Sequence, residues 1–259
     1  MTELLRSTYR YRELIWALAL RELKVRYKRS VLGFLWALLN PALLMLVLTV
    51  VFTTIMPMLN IPHFPVFLLC TLLPFTFFSQ SLSYAVESMV GNADLIKKVA
   101  VPKLVFPVAA VVSNIINLLL SLIPLVILIV GIRHPLHWTW IFVPIPLAAL
   151  CILTLGATFF FAAANVYYRD VAHIVQILLQ VLFYVTPVLY KVDFFPPKYR
   201  WLFWLNPLTF SLSDMRMFIY YGSFPSIQSV LASFAAAFLT LAIGFTIFRR
   251  HQHEFVFYV

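Results

Sequence analysis

The chain has 259 residues, of which 63% are hydrophobic and only 11% charged, and its mean hydropathy is +0.96. A water-soluble domain of this composition would have far more apolar surface than it could bury, so we predict an integral membrane protein. The formal charge of +10 does not indicate nucleic-acid binding, because Lys and Arg cluster at the ends of apolar segments, where lipid head groups lie.

The N-terminal arm is basic and leads directly into a long uncharged stretch. Eight Lys and Arg residues lie within residues 1–29, whereas none of the 57 residues from Ser30 to Val86 is charged. A bilayer core is crossed by about twenty apolar residues, so this stretch is long enough for two transmembrane helices. We therefore predict that the chain enters the membrane directly after its basic arm.

Residues 9–28 have the periodicity of an amphipathic helix. Trp16, Leu20, Leu23 and Tyr27 form an apolar stripe at helical spacing, beside a stripe of charged residues. This pattern is typical of a helix that lies along the inner membrane surface. Two interpretations stay open: the helix is an anchor for anionic lipids, or it is a docking surface for a protein partner.

Charge-free segments separated by turn residues predict six transmembrane helices and an all-α integral membrane protein. After the first crossing, the others are predicted at residues 64–86, 104–131, 140–164, 171–190 and 227–248. Thr186-Pro187 is expected to break the hydrogen-bond ladder near the outer end of the fifth helix. Residues 191–225 are rich in aromatic residues and proline but too charged for a crossing, which indicates a re-entrant or aromatic extracytoplasmic cap.

The chain is interpreted as a single transmembrane domain, residues 1–259. Its predicted parts are a cytoplasmic interfacial helix at 1–29, spans one to five at 30–190, the cap at 191–225, span six at 226–248 and a cytoplasmic tail at 249–259. With the N-terminus inside, fourteen Lys and Arg residues lie on the cytoplasmic side and five outside. This asymmetry predicts a multi-pass protein of the cytoplasmic (inner) membrane with both termini in the cytoplasm.

The sequence offers little for ion coupling or nucleotide binding. No ionisable residue lies within the six predicted span interiors, and no GxxxxGK[ST] phosphate loop is present. We expect no enzyme activity, no ATP site and no bound cofactor or metal in this chain, so its energy source would be another polypeptide. A gradient-driven secondary transporter is an alternative that would need an ionisable residue inside a span.

A membrane-embedded enzyme is a further alternative. Its candidate acid–base residues are Asp193 and Asp214 in the cap, or Asp94 and Asp170 on the cytoplasmic side. Interfacial ion pairs and helix caps account for the same carboxylates without catalysis, and we favour that interpretation.

The polar segment at residues 87–103 predicts a short helix between two crossings. Asn92 suits its N-cap, Asp94 its first turn, Lys97 and Lys98 its C-terminal end, and Pro102 would stop it. Such a helix is either a capped loop with balanced charge or an element that receives force from a cytosolic partner.

Five segments together resemble one known family. In chain order they are RELKVRYKRSVLGFLWALLNP at residues 21–41, Lys97-Lys98 with Pro102-Lys103, NVYYRD at residues 165–170, YVTPVLY at residues 184–190 and Asn206-Pro207-Leu208. The combination closely resembles ABC-2 type permeases that export lipid-linked polysaccharides, the O-antigen and teichoic-acid exporters. It covers most of the chain in the expected order.

The resemblance implies a homodimer of six-span permease subunits bound to two copies of a separate nucleotide-binding ATPase subunit, which holds ATP and Mg²⁺. It also implies export of a lipid-linked polysaccharide from the cytoplasmic side, in contact with membrane lipids. Permeases for capsule glycans, lipids or drugs share the fold, so an ABC-2 permease for another substrate is the main alternative.

The resemblance nominates residues for three roles. The loop helix is expected to dock on the ATPase through Glu87, Asn92, Asp94, Leu95, Lys97, Lys98 and Lys103. Aromatic rings, which stack on sugar faces, are expected to line the glycan path along helices one and five, at Phe34, Trp36, Phe52, Phe183, Tyr184 and Tyr190. Cations near the inner leaflet, Arg26, Lys28, Arg29 and Arg169, are candidates by position to meet the diphosphate head group. The alternative for each of them is that it extends only to inner-leaflet lipids.

Overall fold

The computed structural model describes residues 9–28, 30–55, 61–99 and 101–259, and no β-strand occurs among them. Four helices are long and apolar enough to cross a membrane: Phe64–Gly91, Val105–Gly131, Trp138–Tyr167 and Ile227–His251. They correspond to the predicted second, third, fourth and sixth spans. The prediction of an all-α protein with several membrane-length helices is therefore confirmed for these four segments.

The α-helices follow one another as α1 (Arg12–Arg26), α2 (Trp36–Val50), α3 (Phe64–Gly91), α4 (Ala93–Lys98), α5 (Val105–Gly131), α6 (Pro144–Tyr167), α7 (Val171–Val185), α8 (Trp201–Trp204), α9 (Pro207–Arg216), α10 (Ile227–His251) and α11 (Phe255–Tyr258). Turns of 3₁₀ helix precede α2 at Gly33–Leu35 and α6 at Trp138–Phe142, and π turns extend α2 at Val51–Ile55 and α9 at Met217–Tyr221.

The helices at the predicted first and fifth spans are shorter than a bilayer core. Their apolar segments are Leu38–Thr54 and Val171–Val185. The 15 residues of α7 are about 22 Å long, against about 30 Å for the hydrocarbon layer. α7 ends before residue 190, its predicted boundary, because Thr186 adopts an extended backbone and Pro187 has no N–H to continue the ladder. Helix length thus accounts for four of the six predicted crossings.

α3 is the central helix of the bundle. All residues from Phe64 to Phe75 are buried except half-buried Pro65. α3 contacts α2, α5, α6, α7 and α9, and these neighbours cover it on all sides in this half. Both cysteines are free thiols, Cys70 within this core and Cys151 half-buried on α6, as expected for packing residues.

Two glycines bring α6 and α10 into backbone contact. A Cβ added to Gly156 would lie 2.6 Å from the Cα of Leu241, and one added to Gly244 would lie 2.9 Å from the carbonyl carbon of Gly156. Lipid tails are as apolar as leucine, so membrane helices are held together by close packing, and small residues permit it. The absence of a Cβ at both positions permits this contact.

Residues 191–225 form short helical turns and the helices α8 and α9, instead of a further long helix. The rings of Tyr190, Phe195 and Phe203 cluster there, with centroids 4.9 to 5.9 Å apart. Asp193 pairs with Arg200 at 3.3 Å on the surface, which confirms the predicted ion pair for this carboxylate.

Arg216 holds residues 191–225 against the helix bundle through hydrogen bonds. Its Nη2 donates to the carbonyls of Pro187 and Val188 at 2.7 and 2.9 Å and to Oγ1 of Thr71 at 3.0 Å. The guanidinium lies over the ring of Phe67 at 3.8 Å, and the residue is only 6% exposed. Burial lowers the pKa of Arg216, and no carboxylate of the described residues pairs with it. Carbonyl dipoles and a ring face therefore take the place of a counter-ion.

Asp214 is buried near Arg216 but does not form an ion pair. The hydroxyl of Ser229 donates to its Oδ1 at 2.6 Å, while Oδ2 is buried without a hydrogen-bond partner in the described part of the chain. Burial raises the pKa of Asp214 to about 6. The predicted interfacial ion pair is therefore wrong for Asp214, because its partner is a hydroxyl on α10.

Substituting either contact glycine is expected to loosen the α6–α10 pair. Gly156→Ala or Gly244→Ala should lower the melting temperature in detergent, since overpacking a close helix contact costs about 1–3 kcal/mol. Gly131→Ala is the matched control, because a Cβ there meets nothing within 4 Å. Equal melting temperatures for all three variants and the parent would contradict the close contact.

Asp214 is expected to make stability depend on pH. The folded state holds its proton more tightly than the unfolded chain does, so the contribution is complete below about pH 3.9 and is lost as pH rises through about 6. Asp214→Asn should remove this loss, which gives a variant more stable than the parent above pH 6 by about 3 kcal/mol.

Melting curves between pH 4 and pH 7 would measure this difference. Asp193→Asn is the control, since the Asp193 side chain is 80% exposed and pairs on the surface. A difference between parent and Asp214→Asn that does not change with pH would rule out the buried carboxyl as the titrating group.

Candidate functional site

α1 lies against the bundle and keeps a second apolar side uncovered. Ile15, Ala19 and Leu23 are buried against α5 and its neighbours. Trp16 and Leu20, from the predicted apolar stripe, remain 52% and 36% exposed. Half of the predicted stripe, Trp16 and Leu20, thus faces away from the protein, whereas Leu23 faces it and Tyr27 is half-buried.

A stripe of polar residues runs along the apolar helix α5 where α1 crosses it. Asn114, Asn117 and Ser121 recur at spacings of three and four, so they share one helical face, and all three are buried. Asn114 Nδ2 donates to the Ala110 carbonyl at 2.8 Å, and Asn117 Nδ2 donates to Asn114 Oδ1 at 3.4 Å. Polar residues within an apolar bundle are expensive unless they are paired or used.

Arg26, at the end of α1, is held over this stripe. Its Nη1 donates to Asn114 Oδ1 at 3.1 Å, and its Nη2 pairs with Glu22 Oε1 at 3.3 Å. Its guanidinium lies 3.8 Å from the centre of the Tyr84 ring on α3. Burial raises the pKa of Glu22, an effect that Arg26 and a hydrogen bond from Ser113 oppose. Arg26 is therefore fixed by three different helices.

The same residues line a cavity of about 280 Å³ between α1, α2, α3 and α5. Besides Arg26 and the α5 stripe, its wall includes Trp36 and Asn40 of α2 and Thr76 and Gln80 of α3. Two of the sequence-nominated residues, Arg26 from the entrance set and Trp36 from the aromatic set, meet in this one cavity. We call it the amide cavity.

A second polar feature is an open groove between α3 and α7, of about 590 Å³. Ser79 and Ser83 line it from α3, and Gln176 and Gln180 from α7. Both glutamines are exposed on an otherwise apolar helix. The groove is continuous with the uncovered side of α7, so it is open to a second molecule or to lipid.

The structure separates the nominated aromatic residues into different places. Phe183 and Tyr184 lie together in the α3–α7 groove, with ring centroids 5.4 Å apart, and Tyr190 donates its hydroxyl to the Tyr184 carbonyl at 2.6 Å. Phe52 packs against Phe64, with centroids 5.7 Å apart. The side chain of Phe34 lies outside the described part of the structure.

The nominated entrance cations do not form one cluster in the described residues. Arg26 lies in the amide cavity, Lys28 is exposed, and Arg169 donates to the Tyr258 carbonyl at 3.0 Å. Arg29 lies outside the described residues.

The nominated docking helix is present as α4. Asp94 lies in its first turn, and Lys97 and Lys98 in its last; all three are exposed. Asn92 is the N-cap residue of α4, as predicted, but its side chain makes no cap bond to this helix. Instead its Nδ2 donates to the Ser88 carbonyl of α3 at 2.8 Å, because the end of the longer helix lies within its reach.

The remaining docking residues surround α4. Glu87 is exposed on the last turns of α3, Leu95 is half-buried, and Lys103 is half-buried before α5, where burial lowers its pKa. Glu87 and Asn92 also line a cavity of about 230 Å³ beneath α1. Arg21 Nη1 of α1 donates to Asn92 Oδ1 at 3.4 Å. α1 is therefore in contact with residues 87–103, the segment that contains α4 and that we call the docking loop.

The C-terminal segment packs beside α4. Phe255 is fully buried in the cluster that contains Ile96, the buried residue of α4. Tyr167 donates to Glu254 Oε2 at 2.7 Å, which ties the segment to the end of α6. Phe257 stays 85% exposed.

Sequence reasoning missed the α5 stripe and Gln80. Asn114, Asn117 and Ser121 carry a detectable signal, because three polar residues at helical spacing in an apolar segment indicate a polar face. Gln80 carries no such signal, because it is a single amide in the sequence and its neighbours are known only from the fold. Within the described residues, no three His, Cys, Asp or Glu side chains are placed to hold a metal ion.

Comparison with known proteins agrees with the resemblance found in the sequence. The O-antigen export system permease protein RfbA of Myxococcus xanthus is 38% identical over 259 residues, 98% of each chain. A protein of the same name from Klebsiella pneumoniae is 32% identical over 240 residues, 91% of this chain and 90% of the relative. The polysialic acid transport protein KpsM of Escherichia coli is 26% identical over 242 residues, 91% of this chain and 92% of the relative.

The family model described as ABC-2 type transporter matches residues 13–220, which include α1 to α9 and every cavity described above. The membrane-length helices and the short helix α4 lie within or next to this match. The chain belongs to the ABC-2 type transporter family.

Proposed function

We propose that this chain is the permease subunit of an ATP-driven exporter that moves O-antigen-type, lipid-linked polysaccharide across the cytoplasmic membrane. The observation that carries the proposal is the 38% identity to an O-antigen export permease over 98% of both chains. The relative named for polysialic acid transport favours one alternative, a capsule-type glycan as the substrate.

The motor of this exporter is a separate subunit. The 259 residues contain no phosphate loop, and the family works as part of ABC transporters. We assign ATP and Mg²⁺ to two copies of a nucleotide-binding partner, and the conduit to this chain.

The conduit is a homodimer in this proposal, with α2 and α7 at the shared axis. Two observations support it: Leu46 and Val47 of α2, and Ile177 and Val181 of α7, are more than half exposed. Large apolar faces on a single subunit favour lipid or protein contact. We further propose six crossings, with residues 191–225 as the outer cap and both termini in the cytoplasm.

The α3–α7 groove is the surface we assign to the moving glycan. A polymer must slide without being held at one point, and aromatic faces stack on sugars with few directional bonds. Phe183 and Tyr184 supply such faces, while Gln176 and Gln180 supply exchangeable hydrogen bonds. Trp36, Phe52, Phe34 and Tyr190 stay candidates for the same path.

Cations near the inner leaflet are assigned to the diphosphate of the lipid carrier. Lys28 is exposed and close to the end of α1, which suits this role, and Arg29 follows it in the sequence. Arg169 is a third candidate. The charge of Arg26 is already balanced by Glu22, so its role is different and is treated below.

The division of labour between two polypeptides is tested by ATP hydrolysis. The purified chain alone should release no phosphate above background, whereas the complex with its partner ATPase should hydrolyse ATP. A partner subunit with its phosphate-loop lysine replaced is the control and should be inactive in the complex. Nucleotide hydrolysis by this chain alone would contradict the proposal.

Reversing a charge on α4 is expected to weaken the coupling between this chain and its ATPase partner. Asp94→Lys or Lys97→Glu should weaken assembly with the ATPase about tenfold and lower its stimulated activity, because like charges brought together at an interface cost on the order of 1–3 kcal/mol. Pull-down and ATPase assays on membranes would measure this loss. Lys198→Glu, an exposed charge in the proposed cap, is the matched control. Normal assembly of both α4 variants would argue against docking at this helix.

A further inference from the structure

The amide cavity is unusually polar for its surroundings. Ten of the fourteen residues that line its 280 Å³ carry a hydrogen-bonding side chain, although α3 and α5 consist mainly of apolar residues. Isolated polar groups in a membrane protein are costly and are retained where they pair or bind something. Hydrogen bonds within the protein involve only some of the polar side chains that line the cavity.

Several groups in the wall have no partner. In the described part of the chain, no hydrogen bond is found for the half-buried side chains of Gln80 and Thr76 or for the exposed side chain of Asn40, and Arg26 Nε is buried without one. A carboxamide both donates and accepts, and so does a hydroxyl. The groups without a partner therefore suit a ligand that carries hydrogen-bond donors and acceptors next to each other.

The cavity has little net charge to offer an anion. Arg26 supplies its cation, but Glu22 lies 3.3 Å from Nη2, Asn114 occupies Nη1, and the ring of Tyr84 covers the guanidinium face. A phosphate would have to compete with the Glu22 carboxylate for the same guanidinium. The electrostatics thus favour a neutral ligand.

Aromatic rings and size restrict the ligand further. Trp36, Tyr84 and Phe77 border the space and present flat apolar surfaces beside the amides. Small-molecule sites commonly measure about 300–1,000 Å³, so a cavity of about 280 Å³, just below this range, suits one ring rather than a chain. A pyranose combines an apolar C–H face with a rim of hydroxyls, which is the complement of this wall.

We propose that the amide cavity binds a single neutral sugar residue of the exported glycan, with Gln80, Asn117 and the ring of Trp36 as its contacts. This inference rests on the proposed function and adds to it a built recognition site outside the α3–α7 groove. Arg26 is a positioning residue in this site, because it orders Asn114 and Tyr84 around the cavity.

The test measures sugar binding to the complex with its partner ATPase in lipid nanodiscs. The probes are methyl β-D-glucopyranoside and its N-acetylglucosamine counterpart, followed by saturation-transfer NMR, with inorganic phosphate as a competitor. The parent should give a saturable signal with a Kd on the order of 1 mM, as expected for one weakly held ring. Phosphate should not reduce this signal.

Substitutions locate the binding. Gln80→Leu keeps the side-chain size and should weaken the sugar signal about tenfold, and Thr76→Val is a second, smaller change that should weaken it as well. Gln228→Leu, at the exposed start of α10, is the matched control and should bind as the parent does. Melting temperatures equal to the parent's show that the variants are folded.

Three results would overturn the inference: no sugar signal in the parent, an unchanged signal in both cavity variants, or displacement of the sugar by phosphate. Failure here is distinguishable from failure of the proposed function. A complex that exports glycan in the parent but shows any of these results loses only the sugar site, whereas a parent complex that exports no glycan contradicts the exporter itself.

Discussion

The break in α7 at Thr186-Pro187 constrains this end of the bundle, because an apolar medium offers no water to the carbonyls it releases. Arg216 satisfies the carbonyls of Pro187 and Val188, just beyond the end of α7, and the side-chain Oγ1 of Thr186 accepts from Asn206 Nδ2 at 2.8 Å. One side chain from residues 191–225 thus bonds to backbone carbonyls after the break, and a second one holds the Thr186 side chain. α7, the irregular segment that follows it and residues 191–225 therefore form one arrangement. Side chains of residues 191–225 bond to the polar groups near the end of α7.

The same rule explains what α3 and α5 do in the middle of the bundle. Thr71 lies on α3 and receives one of the guanidinium bonds, while Asn165 Nδ2 of α6 donates to the Val86 carbonyl at 2.9 Å. Polar side chains inside these helices therefore join one helix to the next. Against that background, the amide cavity differs because the side chains of Gln80 and Thr76 make no hydrogen bond to a described residue, which leaves them for a ligand or water.

Much of the fold follows from composition and spacing, and the remainder depends on contacts between segments distant in sequence. Uninterrupted apolar runs indicate the four long helices, and Asp94, Lys97 and Pro102 indicate α4 with nearly correct bounds. Hydropathy does not distinguish a buried helix from a lipid-facing one, so the central position of α3 was not predictable from its own residues. The role of Arg216 was equally hidden, since one basic residue in a polar segment looks like any surface charge until its carbonyl partners are known.

α1 connects the docking loop to the amide cavity through a single rigid element. Arg21 contacts Asn92 beside α4, and Arg26, five residues further on, lies in the cavity wall. Five residues of α-helix measure about 7.5 Å, and no proline or glycine interrupts Arg12–Arg26, so the helix has no internal hinge. A displacement of α4 that carries Asn92 with it would therefore move Arg26 relative to Asn114 and Tyr84, and the shape of the cavity would change with the position of the docking loop. In the exporter proposed above, an ATPase that pushes on α4 would thus change the amide cavity through α1, without any direct contact with the glycan.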